Sequence, residues 1–175
     1  TLLGVFLATN HALAGEEVIK TLHCPAQAGK VEFVATGKPS LLKIRGQASG
    51  PECQLEARES RDSPQSEGMV VKGALRFDLN LLDTGIETRT SHMKDNYLET
   101  GRFPKATLTL DPLAIPPSVA ERKNVDFTGT LELHGVKKPV KGTASIDRAN
   151  AGRILGAQAD FDILLSDYGI AIPKF

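Results

Sequence analysis

The sequence predicts an all-β, antiparallel barrel of about eight strands, the size at which a closed sheet can still surround one small ligand. Three observations predict it. Apolar and polar residues alternate with period two along most of the chain, as strands with one buried face require. The alternating runs are separated by segments containing Gly, Pro, Asn or Asp, which turn the chain by fixing or freeing φ. Only one stretch departs to helical spacing, so the many successive strands with short turns argue for a meander closed into a barrel or packed as a sandwich.

Taken in order, Val31, Phe33 and Ala35 form the first run, and Leu42, Ile44 and Gly46 the second. The longest has Val71, Gly73, Leu75, Phe77, Leu79 and Leu81 on one face and Lys72, Arg76, Asp78 and Asn80 on the other. Ala106, Leu108 and Leu110 follow, then, beyond Pro116-Pro117, Val125, Phe127, Gly129, Leu131 and Leu133. Val140, Gly142, Ala144 and Ile146 form the next run, and Leu155, Ala157, Ala159, Phe161, Ile163 and Leu165 the last. Between the third and fourth runs, Ile86, Thr90, Met93 and Tyr97 share a helical stripe within Asp83 to Thr100. Thr84-Gly85-Ile86-Glu87 has the form of a capping box, and Gly101 and Pro104 supply a stop. This amphipathic helix is expected to cover one end of the barrel. Glycines 73, 129, 142 and 156 fall within strands, where they relieve curvature, sit at bulges or leave interior space.

Residues 1–14, TLLGVFLATNHALA, combine a short apolar run with a terminal Ala12-Leu13-Ala14, the small-x-small pattern of an export-signal cleavage site. They read as a signal-peptide remnant, with the mature protein starting at Gly15; a first strand is the alternative. No other stretch approaches the roughly 18 apolar residues needed to span a bilayer. The two cysteines, Cys24 and Cys53, are expected to form a disulfide in an exported chain, worth roughly 3–4 kcal/mol in the chain-entropy model. Two buried thiols are the other reading.

Lysine plus arginine balance aspartate plus glutamate, 21 each, with an estimated pI of 6.8. No basic footprint for nucleic acid follows from those totals. Catalytic motifs are equally absent: there is no GxSxG elbow, HExxH pair, P-loop or glycine-rich dinucleotide turn. His23, His92 and His134 are too scattered for a metal site, and His134, before Gly135, reads as a turn residue. No cofactor or metal is expected, and binding is favoured over catalysis.

Leu82-Asp83-Thr84-Gly85-Ile86, Arg89 to Leu98, Phe103-Pro104-Lys105-Ala106, Gly129 to Val140 and Leu165-Ser166-Asp167-Tyr168-Gly169-Ile170 together resemble the blocks of the YceI-like family, in order and spacing. The resemblance runs from about Lys30 to the end and makes residues 15–175 one domain. It implies a lipocalin-like barrel, exported to the bacterial periplasm or secreted, that binds, carries or sequesters a long isoprenoid, quinone or polyprenyl phosphate. Fatty acids or amides, or a filled barrel that binds a partner protein, are the alternatives. The family pattern also implies a closing strand after Phe175, and the cysteine pair is not part of it. The apolar lining expected for the ligand is Leu75, Phe77, Leu79, Leu108, Leu110, Phe127, Leu131, Leu133, Phe161 and Ile163, with Met93 and Tyr97 from the helix. Arg89, His92 and Asn96 form a second helical stripe suited to a polar headgroup, Arg because its fork donates paired hydrogen bonds.

Overall fold

The computed structural model describes residues 18–24, 29–37, 43–59, 68–115, 123–148 and 154–171; residues 1–14, expected to be a signal-peptide remnant, and Pro116-Pro117 lie outside them. Among the described residues there are nine strands: β1 (Val18–Cys24), β2 (Lys30–Thr36), β3 (Lys43–Ser49), β4 (Glu52–Glu59), β5 (Met69–Asp78), β6 (Lys105–Ile115), β7 (Lys123–Leu133), β8 (Val136–Arg148) and β9 (Ile154–Phe161). One α-helix is found among them, α1 (Glu87–Asn96), between β5 and β6. Seven strands pair antiparallel in the order β1-β4-β5-β6-β7-β8-β9, while β2 and β3 pair only with each other. The seven-stranded sheet is strongly curled into a half-barrel.

Curling follows from where apolar side chains must go. Inward positions of β5 (Met69, Val71) and β7 (Phe127, Leu131, Leu133) are buried, and α1 buries none of its residues. The sheet therefore covers its apolar face mostly with itself. Ala57 of β4, Met69 and Val71 of β5, Ile115 of β6 and Ile146 of β8 form one cluster, which runs along the curled face from β4 to β8. A second cluster runs from Leu79 and Leu108 through Phe127 and Leu131 to Tyr168 and Ile170. Backbone close approach permits the curl: a Cβ on Gly142 would lie 2.3 Å from the Asp160 carbonyl oxygen and 2.8 Å from the Phe127 ring. Gly73 has φ +143 and its Cβ would lie 2.2 Å from the Gln54 oxygen. Of the readings open for the strand glycines, curvature and close packing hold at these two positions.

One strand keeps its apolar face inward by breaking its own period. Ala106 and Leu108 of β6 are buried with Leu110 half-buried, and the pattern then resumes at Leu113 and Ile115. The register supplies the reason: Val71 pairs with Leu113 but Gly73 with Leu110, so Asp111-Pro112 is a bulge opposite Lys72. Proline has no N–H for the ladder and is tolerated at such a point.

The structure corrects several boundaries. Strands β1 and β4 were not among the predicted runs. The longest run ends at Asp78, because the Asp78 carboxylate accepts from the Asn80 N–H at 3.0 Å and turns Leu79–Leu81 into one 3-10 turn. The last strand ends at Phe161, and Leu165–Tyr168 is a second 3-10 turn. No capping box forms: Ile86 is the N-cap, with no side-chain cap, and Thr84 instead donates its N–H to the Thr90 hydroxyl at 3.0 Å. Ile86 is consequently 52% exposed and leaves the helical stripe to Thr90, Met93 and Tyr97, all half-buried. The half-barrel has no closing pair between β9 and β1 among the described residues. Replacing Gly142 by Val should destabilise the fold by about 2–3 kcal/mol through overpacking, read as a lower urea midpoint; an unchanged midpoint would show that the β8–β9 contact yields freely.

Candidate ligand-binding site

The concave face of the half-barrel gathers nearly all of the apolar residues expected to line a ligand. Leu79, Leu108, Phe127, Leu131 and Leu133 are buried in one cluster, and Leu75, Phe77, Tyr97, Leu110, Phe161 and Ile163 are half-buried against it. Met93 is half-buried on α1 and is not among the residues packed on that cluster. The buried five are held by one another: Phe127 is 3% exposed, and its ring meets that of Phe161 edge-on at 6.2 Å. The half-buried six remain reachable. Ala157 and Ala159 of β9 pair with Ile146 and Ala144 on the same side of the ladder and are exposed, because β9 is the sheet's edge.

The headgroup candidates do not converge on that face. Arg89 donates through its guanidinium to the Thr84 carbonyl, and its Nε is buried without a partner among the described residues. His92 is exposed and sets its ring edge-on to Tyr97 at 5.4 Å, while Asn96 is exposed. Asp83 anchors the approach to the helix. Its carboxylate accepts from the Gly85 N–H at 2.8 Å and from the Thr90 hydroxyl at 3.2 Å, and these bonds lower its pKa.

Sequence reasoning missed a polar knot at the end of the half-barrel where β7 turns into β8. His134 sits in that turn, as expected, with φ 53 followed by Gly135 at φ 74, the pattern of a two-residue type I′ hairpin. Its Nε2 lies 2.7 Å from Glu99 Oε2 and its Nδ1 lies 3.1 Å from the Tyr168 carbonyl. Glu99 has φ 45 and accepts from Arg102 at 3.1 Å. The imidazole rests on the Phe103 ring, 4.4 Å between centroids. Three loops are thus tied over the apolar cluster, next to Tyr168, which is 2% exposed. Hydrogen bonds from His134 and then Arg102 hold the Glu99 carboxyl below its ordinary value.

Two recesses flank this architecture. One, of about 320 Å³, lies between the β2–β3 hairpin and Asp83–Gly85 and is lined by Phe33, Val34 and the charged Glu32, Arg45 and Asp83. The other, of about 210 Å³, borders the apolar cluster through Val140, Ile163 and Tyr168, with Lys138, Asp162 and Asp167 also in its wall. Among the described residues there is no grouping of His, Cys, Asp and Glu able to hold a metal ion, and no helix is long and apolar enough to cross a membrane.

The pattern described as the YceI-like domain matches residues 24–174. The chain belongs to the YceI-like family. This YceI-like chain is 32% identical over 99 residues to Protein YceI of Salmonella arizonae and, to the same degree, of Salmonella newport, each match covering 54% of this chain and 49% of the relative. The chain therefore spans about half the length of the curated relatives it matches. Its fold is similar to that of a polyisoprenoid-binding domain from Saccharophagus degradans implicated in plant cell wall breakdown. That similarity has a TM-score of 0.58 and 24% identity, over 85% of this chain and 80% of that one.

The polar knot has a pH signature. A carboxyl whose folded pKa is lowered contributes stability that is present above its ordinary value, 4.5 for Glu99, and is lost as pH falls through the folded value. The urea midpoint of Glu99→Gln should therefore lie below that of the native sequence at neutral pH, with the gap closing as pH falls below the ordinary carboxyl value. A gap unchanged over that range would remove Glu99 from the acid response.

Proposed function

We propose that this chain binds one long apolar lipid against the concave face of its half-barrel and carries or sequesters it without turning it over. The observation that carries the proposal is the set of half-buried apolar side chains, Leu75, Phe77, Leu110, Phe161, Ile163 and Tyr97, packed against a buried apolar cluster. A flexible chain covering these side chains gains about 0.8 kcal/mol per methylene removed from water, so affinity grows with chain length and needs few polar contacts. An isoprenoid lipid, a quinone or polyprenyl phosphate among them, is the ligand class that family membership and the Saccharophagus degradans neighbour support; a fatty acid or amide would use the same face. The chemistry of the site supports binding over catalysis, since Glu99 and His134, beside the buried Tyr168, are engaged with each other. The Cys24–Cys53 disulfide supports an oxidising setting, the bacterial periplasm or beyond.

A filled-barrel interaction protein is the second reading, and the burial of Phe127 and Leu131 at 3% and 4% exposure favours it. The two readings part on uptake. The purified protein should retain extractable lipid or take up a fluorescent polyprenol. Phe161→Ser should weaken uptake about ten- to hundredfold, the equivalent of removing one partly buried aromatic side chain, with the far-ultraviolet spectrum unchanged. No lipid on extraction and no uptake by the native protein would leave the second reading.

A further inference from the structure

Strands β1 and β2 form one arm of a long hairpin, and β3 and β4 the other. The Cys24–Cys53 pair closes the ladder of β1 with β4, and Lys30–Ser49 opens that of β2 with β3. Between those two pairs the first arm runs through five residues, 25–29, and the second through only three, 50–52. The ladders therefore cannot share one register. The chain is re-set at this neck, with Gly29 at φ 91 and a Gly50 N–H to Gly29 carbonyl bond of 3.0 Å. The disulfide sits at the neck itself.

Beyond the neck the β2–β3 hairpin has few anchors. None of its residues belongs to either buried cluster among the described residues, although Val31, Phe33, Ala35, Ile44 and Ala48 form an apolar, half-buried face. Its described link to the rest of the fold is one antiparallel bridge, Gln47 to Asp83, made of two backbone hydrogen bonds of 2.8 Å. That bridge lies beside the recess of about 320 Å³, whose lining is shared between the hairpin and Asp83–Gly85. A lone two-stranded hairpin is marginal in water, so its position depends on whatever fixes its base.

We propose that the Cys24–Cys53 disulfide is a redox-controlled clamp: oxidised, it holds the β2–β3 hairpin on Asp83 and forms the recess; reduced, it frees the hairpin while the curled sheet stays folded. The reductant is a dithiol. Its thiolate attacks the sulfur of Cys24, which is half-buried, whereas Cys53 is 1% exposed. Cys53 leaves as a thiolate and takes up a proton. The second thiol of the reductant then attacks its sulfur in the mixed disulfide, releasing Cys24. Two electrons pass to the cysteine pair, which ends as two thiols, and the reductant ends as a disulfide. The clamp operates on the protein alone and does not depend on the lipid reading.

Hydrogen exchange on the whole chain, read by mass spectrometry before and after reduction with dithiothreitol and alkylation of both thiols, tests it. Amides of β2 and β3 should exchange at least about tenfold faster after reduction, with β5 to β8 unchanged, as expected for local release of one unit. The double variant Cys24→Ala/Cys53→Val should behave the same way without any reagent, which separates loss of the bond from the bulk of the alkyl groups. Unchanged exchange in β2 and β3, or an equal loss of protection across β5 to β8, overturns the clamp.

Discussion

Everything in this fold depends on one constraint: a seven-stranded sheet, with one short, mostly exposed helix beside it, has to bury its apolar face largely against itself. Strands β4 to β9 in meander order, with β1 beside β4, supply the face, and the curl carries one buried cluster from Ala57 on β4 to Ile146 on β8. The curl in turn requires points where neighbouring backbones come closer than side chains allow. Gly73, Gly129 and Gly142 are those points; each faces a carbonyl oxygen of the adjacent strand at 2.2–2.4 Å from where a Cβ would stand. At Gly142 the space released is taken by the Phe127 ring and the Phe161 Cβ, and the two rings meet edge-on, which joins β7 to the edge strand β9.

The same constraint explains where polar groups gather. Apart from the β6 bulge, alternation sends polar side chains away from the concave side, and the ones that return do so at loop ends. There they tie loops to each other. Glu99, His134 and the Tyr168 carbonyl draw the α1–β6 connection, the β7–β8 turn and the final 3-10 turn together over the apolar cluster. Two non-glycine residues at positive φ are held in this one contact, and such backbone positions persist only where surrounding structure over-determines them. The disulfide does related work at another margin, closing the ladder at the point where the long hairpin changes register.

Much of the concave apolar face was legible because period two converts directly into a face. Leu75, Phe77, Leu108, Phe127, Leu131 and Phe161 fall on one side of the sheet wherever the strands pair. The alternation of β4 was also present, Cys53, Leu55 and Ala57 against Glu52, Gln54 and Glu56, but its small apolar residues make a weak signal. The Asp111-Pro112 bulge shows the opposite case: beyond Leu110 the period slips by one, and only pairing with β5 reveals that Leu113 and Ile115 still point inward.

What the sequence by itself determined was the class of structure and its apolar face, because side-chain alternation is a local property that each strand carries alone. It also paired the two cysteines, which the fold places directly opposite in a ladder. Only the tertiary structure decided that the sheet curls into a half-barrel, that β2 and β3 stand apart from it, and that Arg89 serves the Thr84 carbonyl. It also decided that His134 meets Glu99, 35 residues away. Those outcomes depend on which distant backbones approach one another, and no spacing along the chain encodes that distance.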